Sequence, residues 1–199
     1  MKNNQVTLSG TIASEFIFSH ELFGEKFYTA YVAVSRTSEA IDLLPVMFSD
    51  RIINIHGNYL DMQIQIIGQF RSYNQPDEHR NRLILNVFAL DYEWMDETEN
   101  ANTAILEGFI CKPPIYRKTP LGREIADVML AVNRPYGKSD YIPCICWGRN
   151  ARYAESLEVG DCVRFFGRIQ SREYTKKIGD IEEKRSAYEL SVSTLEIVE

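Results

Sequence analysis

Residues 141–161 read YIPCICWGRNARYAESLEVGD, and two spacings meet inside them. Up to Trp147 the side chains alternate. Tyr141, Pro143, Ile145 and Trp147 fall on one face of an extended strand, and Ile142, Cys144 and Cys146 on the other. From Arg149 to Leu157 the pattern becomes that of a short helix. The C-x-C pair invites a metal or redox reading. However, the chain has no C-x-x-C pair, and His20, His56 and His79 all lie in the other half. A face of Ile, Cys and Cys suits a barrel interior. All four cysteines (111, 144, 146 and 162) are therefore read as reduced and mostly buried, and no cofactor or metal is expected.

Period-two alternation also dominates the flanking sequence. Thr103–Lys112 reads as a first strand, Arg117–Gly122 as a turn and Glu124–Asn133 as a second strand. Tyr141–Trp147 is the third, Cys162–Ser171 the fourth, and a charged hairpin leads to Ala187–Val198. Five strands with a helix between the third and fourth is the order of an OB-fold, a small Greek-key barrel. Closing the sheet protects the strand edges, and the helix plugs one end of the core.

The chain also aligns with itself at an offset of 98 residues. Leu8–Ile12 (LSGTI) matches Leu106–Ile110 (LEGFI), Val32–Arg36 (VAVSR) matches Leu130–Arg134 (LAVNR), and Pro45 and Arg51 match Pro143 and Arg149. One inserted residue later, Ile66–Gly68 matches Phe165–Gly167. The expected fold is all-β, with two tandem OB-folds of five strands, each with one helix between strands 3 and 4. The expected domains are 1–95 and 104–199, joined by a polar linker at 96–103.

No apolar run is long enough to span a membrane, and MKNNQVTLSG lacks a signal-peptide core, so a cytoplasmic protein is expected. The net charge of −6 is unevenly divided. Residues 1–100 hold 7 Lys and Arg against 14 Asp and Glu, and residues 101–199 hold 15 against 14. The acidic excess lies wholly in the first copy.

At this point the second copy resembles the bacterial single-stranded DNA-binding proteins. The resemblance is carried by Gly108–Ile110, PLGREIADVMLAVNR at 120–134, the stretch at 141–161, and VRFFGRIQSREY at 163–174. It implies non-catalytic binding of single-stranded DNA in replication, recombination or repair, in a bacterial, nucleoid-associated protein, with RNA left open as a ligand. By the same resemblance the base-stacking aromatics fall on Tyr141, Trp147 and Tyr174, with Tyr136 a looser candidate.

Binding exposed bases without regard to sequence needs flat rings for stacking and cations along the phosphate path. Cations are interleaved with these rings at Arg134, Lys138, Arg149, Arg168 and Arg172, and at Lys176 and Lys177 on the hairpin. At the matching positions the first copy has Leu43 for Tyr141, Ser49 for Trp147, and Asp77 and Glu78 for the two lysines. The first copy is thus expected to be degenerate for DNA binding, and Tyr73→Ala to matter little. Arg36, Arg51, Arg71, Arg80 and Arg82 remain there for a minor role.

Family members usually assemble four OB-folds, so a homodimer is expected here. The family's acidic C-terminal tip is missing after LSVSTLEIVE, which puts recruitment of partners by that route in doubt. The rival reading is a protein-interaction module, or a replication or mobile-element accessory, that contacts a partner through the acidic first domain. An enzyme is the third class, and no catalytic motif supports it.

Overall fold

The computed structural model describes residues 3–76, 81–97, 101–178 and 181–198. The first copy holds β1 (Asn4–Ile12), β2 (Ile17–Leu22), β3 (Glu25–Ser35), β4 (Ile41–Ser49), β5 (Gln63–Pro76) and β6 (Asn81–Met95). The second holds β7 (Asn102–Ile110), β8 (Ile115–Lys118), β9 (Glu124–Asn133), β10 (Ser139–Trp147), α1 (Arg149–Glu155), β11 (Cys162–Ile178) and β12 (Ile181–Ile197).

Two rings of strands close within the sheet. β1 pairs with β3, β3 with β4, β4 with β6, β6 with β5, and β5 returns to β1. The second ring runs β7, β9, β10, β12, β11 and back to β7. The β4–β6 and β10–β12 pairings are parallel and the rest antiparallel. The short strands β2 and β8 add an edge hairpin to each ring.

Alternation fills each ring with one face of every strand. Leu8, Val32, Leu44 and Phe48 are buried in the first core, and Leu106, Leu130, Ile142 and Phe165 in the second. Burying a side chain such as Phe165 contributes about 1.5–3 kcal/mol relative to leaving it exposed. Cys144 and Cys146 belong to this core, where burial pushes Cys144 well above the usual thiol range and Cys146 to about 12. Both are inert thiols at neutral pH. Cys111 and Cys162 are half-buried, and no metal-holding cluster occurs among the described residues.

The glycines of the repeat sit where strands approach most closely. A Cβ on Gly10 would collide with the Ala33 carbonyl, and one on Gly108 with the matching Ala131 carbonyl. β-bulges recur beside Gly68 and Gly167.

Three local expectations are corrected. Residues 50–62 form turns with no helix, so only the second ring carries α1. β7 begins at Asn102 and so absorbs the last two residues expected in the linker. Ile145 keeps the outward register of Tyr141 and Trp147 but is buried, at 6% exposure.

The rings meet through β1 and β7, which pair antiparallel from Asn4↔Leu106 to Leu8↔Asn102. Reciprocal ion pairs lock this junction. Arg36 grips Asp42 through Nε at 2.6 Å and Nη2 at 2.5 Å, and donates to the Ser171 carbonyl at 3.0 Å. Ser171 returns its N–H and Oγ–H to Asp42 at 2.7 and 2.8 Å. In the other direction, Arg134 holds both oxygens of Asp140 and donates to the Ser72 carbonyl at 2.9 Å. The Ser72 N–H donates to Asp140 at 2.6 Å. The two sets are related by the sequence repeat, and each ring reaches into the other.

Candidate nucleic-acid interface

β10 presents the outer face that carries the candidate rings. Tyr141 is 45% exposed and Trp147 36% exposed, at opposite ends of the strand and about 20 Å apart at roughly 3.3 Å per residue. The indole Nε1–H of Trp147 donates to Ser191 Oγ on β12 at 3.1 Å, which draws the ring across the neighbouring strand. Ser191 is paired with Ile145 on one side and with Arg168 of β11 on the other. Trp147, Ser191 and Arg168 therefore share one surface across three strands. Tyr174 lies farther along β11, exposed, with its hydroxyl close to Arg185. Tyr136 is fully exposed at the β9–β10 turn, with a positive φ of 64°.

The cations separate into two groups. Arg134 is committed to Asp140 and Ser72 inside the junction. Lys138 and Arg149 are exposed, and among the described residues neither has an ion-pair partner. Arg149 opens α1 immediately after the turn that follows Trp147. Arg172 is exposed and Arg168 half-buried; Arg168 donates to Gln170 Oε1 at 3.3 Å, and their contacts with carboxylates are long, to Asp42 at 3.9 Å and Glu189 at 3.8 Å. The side chains of Lys176 and Lys177 lie outside the described residues.

Glu189 sits buried in the middle of this face and accepts from Gln170 Nε2 at 2.8 Å. It positions polar side chains and offers little open negative charge. Sequence reading missed this acid, because a lone glutamate on a strand reads as solvated.

The matching face of the first ring is different. Ser49 is buried and donates to Glu25 Oε1 at 2.5 Å, while its Oγ accepts from the Arg51 N–H at 3.1 Å. It ties down the turn that replaces the helix. Arg71 lies 3.8 Å over the Phe88 ring, with burial and the nearby Arg134 lowering its pKa to about 10, so it remains a cation at neutral pH.

Closed five-stranded barrels of this strand order define an OB-fold protein, and the second barrel carries exposed rings and cations on its outer face. Residues 101–198, just under half of the chain, match the single-strand binding protein family. It is similar to the single-stranded DNA-binding protein of Halalkalibacterium halodurans, at 35% identity over 85 residues, 39% of this chain and 51% of that protein. Similarity to the Bacillus subtilis single-stranded DNA-binding protein A is also 35% over 85 residues, covering 39% and 49%. The chain thus spans about half the length of the curated relatives it matches. Among solved structures, the wild-type single-stranded DNA binding protein from Thermus aquaticus superposes with a TM-score of 0.79 at 19% identity. That match covers 98% of this chain and 93% of that one, so the likeness in fold extends over both rings.

Proposed function

We propose that the protein binds single-stranded DNA without catalysis, chiefly on the outer face of the second barrel. The carrying observation is the pair of exposed rings, Tyr141 and Trp147, at the two ends of β10, flanked by accessible cations. Bases stack on Trp147, Tyr174 and Tyr141, each stack contributing about 1–3 kcal/mol, with Tyr136 at the margin of the path. Phosphates are met by Lys138, Arg149, Arg168 and Arg172, with Lys176 and Lys177 extending the path along the hairpin. Arg134 is withdrawn from this set. The processes served are replication, recombination or repair, and a homodimer would bring four barrels together.

The test is fluorescence anisotropy with a labelled oligo(dT), at two salt concentrations and against duplex DNA and single-stranded RNA competitors. The expected result is binding that resists duplex competitor and weakens as salt rises. Absence of binding by the folded protein would sink the reading. It would favour a protein partner for the acidic first barrel, where Ile17, Phe18 and Leu22 on β2 and Phe23 beyond it stand exposed.

A further inference from the structure

The two barrels carry equivalent edge hairpins of opposite charge. Residues 14–26, around β2 and the start of β3, are the same segment of the repeat as residues 112–124, around β8 and the start of β9. The first segment holds Glu15, Glu21 and Glu25 against Lys26. The second holds Lys112, Arg117, Lys118 and Arg123 against Glu124. That lone acid is already engaged by Tyr116 and Arg152. Among the described residues Glu15, Glu21, Lys118 and Arg123 form no salt bridge. Apolar residues recur at matching positions, with Ile17 62% exposed and Ile115 63%, and with Phe23 94% exposed and Leu121 85%. Phe23 is held at a φ of 50°, uncommon for a bulky residue, and contributes almost nothing to the fold from there.

Both hairpins end in an open strand edge. The hydrogen-bonded order of the sheet begins with β2 and ends with β8, and among the described residues each pairs with one strand only, β3 or β9. All of β2 is exposed. An unpaired strand edge is a template for another chain, and edge charges decide which chain. Like charges set opposite one another destabilise a strand pair. β2 against a second β2 brings Glu15 and Glu21 near their own copies, and β8 against a second β8 does the same with Arg117 and Lys118. β2 against β8 instead brings acids to bases, and Ile17, Phe18 and Phe23 to Ile115, Tyr116 and Leu121.

We propose that β2 of one copy of this chain docks on β8 of the next. The contact is head-to-tail. Because β2 and β8 lie at opposite ends of the strand order, each copy meets two neighbours, and the contact extends into a chain of copies. A hairpin offers roughly ten residues a side, against about 20–30 for a stable complex. The contact is therefore weak between free molecules and strong once copies are held side by side. On single-stranded DNA it favours a copy landing beside one already bound. That consequence rests on the proposed function, whereas the contact itself does not.

The test is sedimentation velocity of the full-length protein over a rising concentration series at low salt. Glu15→Lys with Glu21→Lys makes both hairpins basic. Lys118→Glu with Arg123→Glu makes both acidic. All four changes together exchange the signs. The wild type is expected to form species larger than a dimer that grow with concentration and shrink with salt. Each paired variant alone should lose that growth, an equimolar mixture of the two should regain it, and the four-change protein should grow as the wild type does. All four positions are exposed, and a thermal melt of each variant confirms that it is folded. A wild type that stays one closed species at every concentration would overturn the proposal, as would growth retained in a paired variant or absent from the mixture. On DNA, the wild type should bind a second copy on a long oligo(dT) at least about tenfold more tightly than a lone copy on a short one. The paired variants should lose this preference and the four-change protein should keep it. Equal affinity at both sites would overturn the contact and leave DNA binding standing. Failure to bind DNA at all would overturn the proposed function, and sedimentation would still decide the contact.

Discussion

Ser49 and Trp147 occupy the same place in the repeat, at the end of the third barrel strand, and they do opposite things. Ser49 is buried and ties a turn to Glu25, whereas Trp147 is exposed and lies toward β12. Around them the rings are alike in strand order, in the bulges beside Gly68 and Gly167, and in the Asn4–Phe70 and Asn102–Ile169 hydrogen-bond pairs. The comparison shows that the inward residues and the junction specify the barrel. The outward residues of the third strand are then free to diverge, and function follows them.

The sharpest way to break the comparison is to remove the rings from the second barrel. Trp147→Ala combined with Tyr174→Ala should weaken oligo(dT) binding by about 2–6 kcal/mol in an anisotropy titration. Leu43→Ala at the position matching Tyr141 should leave binding unchanged. A matched loss from Leu43→Ala would mean that the two faces are not functionally distinct.

The junction offers the next largest effect, and here the barrels should behave alike. Asp42→Ala and Asp140→Ala each strand a half-buried arginine, and each should cost about 3 kcal/mol in chemical denaturation. Burial opposes ionisation of Asp42, but the Arg36 and Ser171 hydrogen bonds overcome it and hold the carboxyl below its usual value. A depressed folded pKa contributes stability above the unfolded value of about 3.9, and that stability is lost as pH falls through the folded value. The gap between wild type and Asp42→Asn should therefore be full at pH 6 and narrow below about pH 4. A gap that stays constant with pH would show that the Asp42 charge contributes nothing.

The smallest effect sharpens the map of phosphate contacts. Arg149→Ala should reduce the slope of log affinity against log salt by about 0.7, the single-strand value for one phosphate contact. Arg134→Ala should lower thermal stability and leave that slope unchanged, because its guanidinium already serves Asp140 and Ser72. A change in slope for Arg134→Ala would return that residue to the DNA path.

Much of the barrel was legible in local pattern. Alternation from Tyr141 to Trp147 separated the core cysteines from the exposed rings, and the strand from Glu124 to Asn133 has the bounds its spacing implied. The ends of the arm were not legible, because charged residues at a hairpin tip look the same whether paired or solvated. Arg134 was read as a phosphate cation because it sits beside aromatics in sequence, while its partner Ser72 lies 62 residues away on the other barrel. Ile145 carries the outward register yet is buried, a distinction that alternation cannot make.

The central claim is that single-stranded DNA lies on the outer face of β10, and Trp147 is its built-in reporter. The other tryptophan, Trp94, is partly buried against the first core and stacks on Tyr59 with ring centroids 4.8 Å apart. Titrating oligo(dT) into Trp94→Phe and Trp147→Phe proteins separates the two signals. The account predicts strong quenching in Trp94→Phe and little in Trp147→Phe. Quenching that persists in Trp147→Phe and vanishes in Trp94→Phe would place the strand on the first barrel and contradict it.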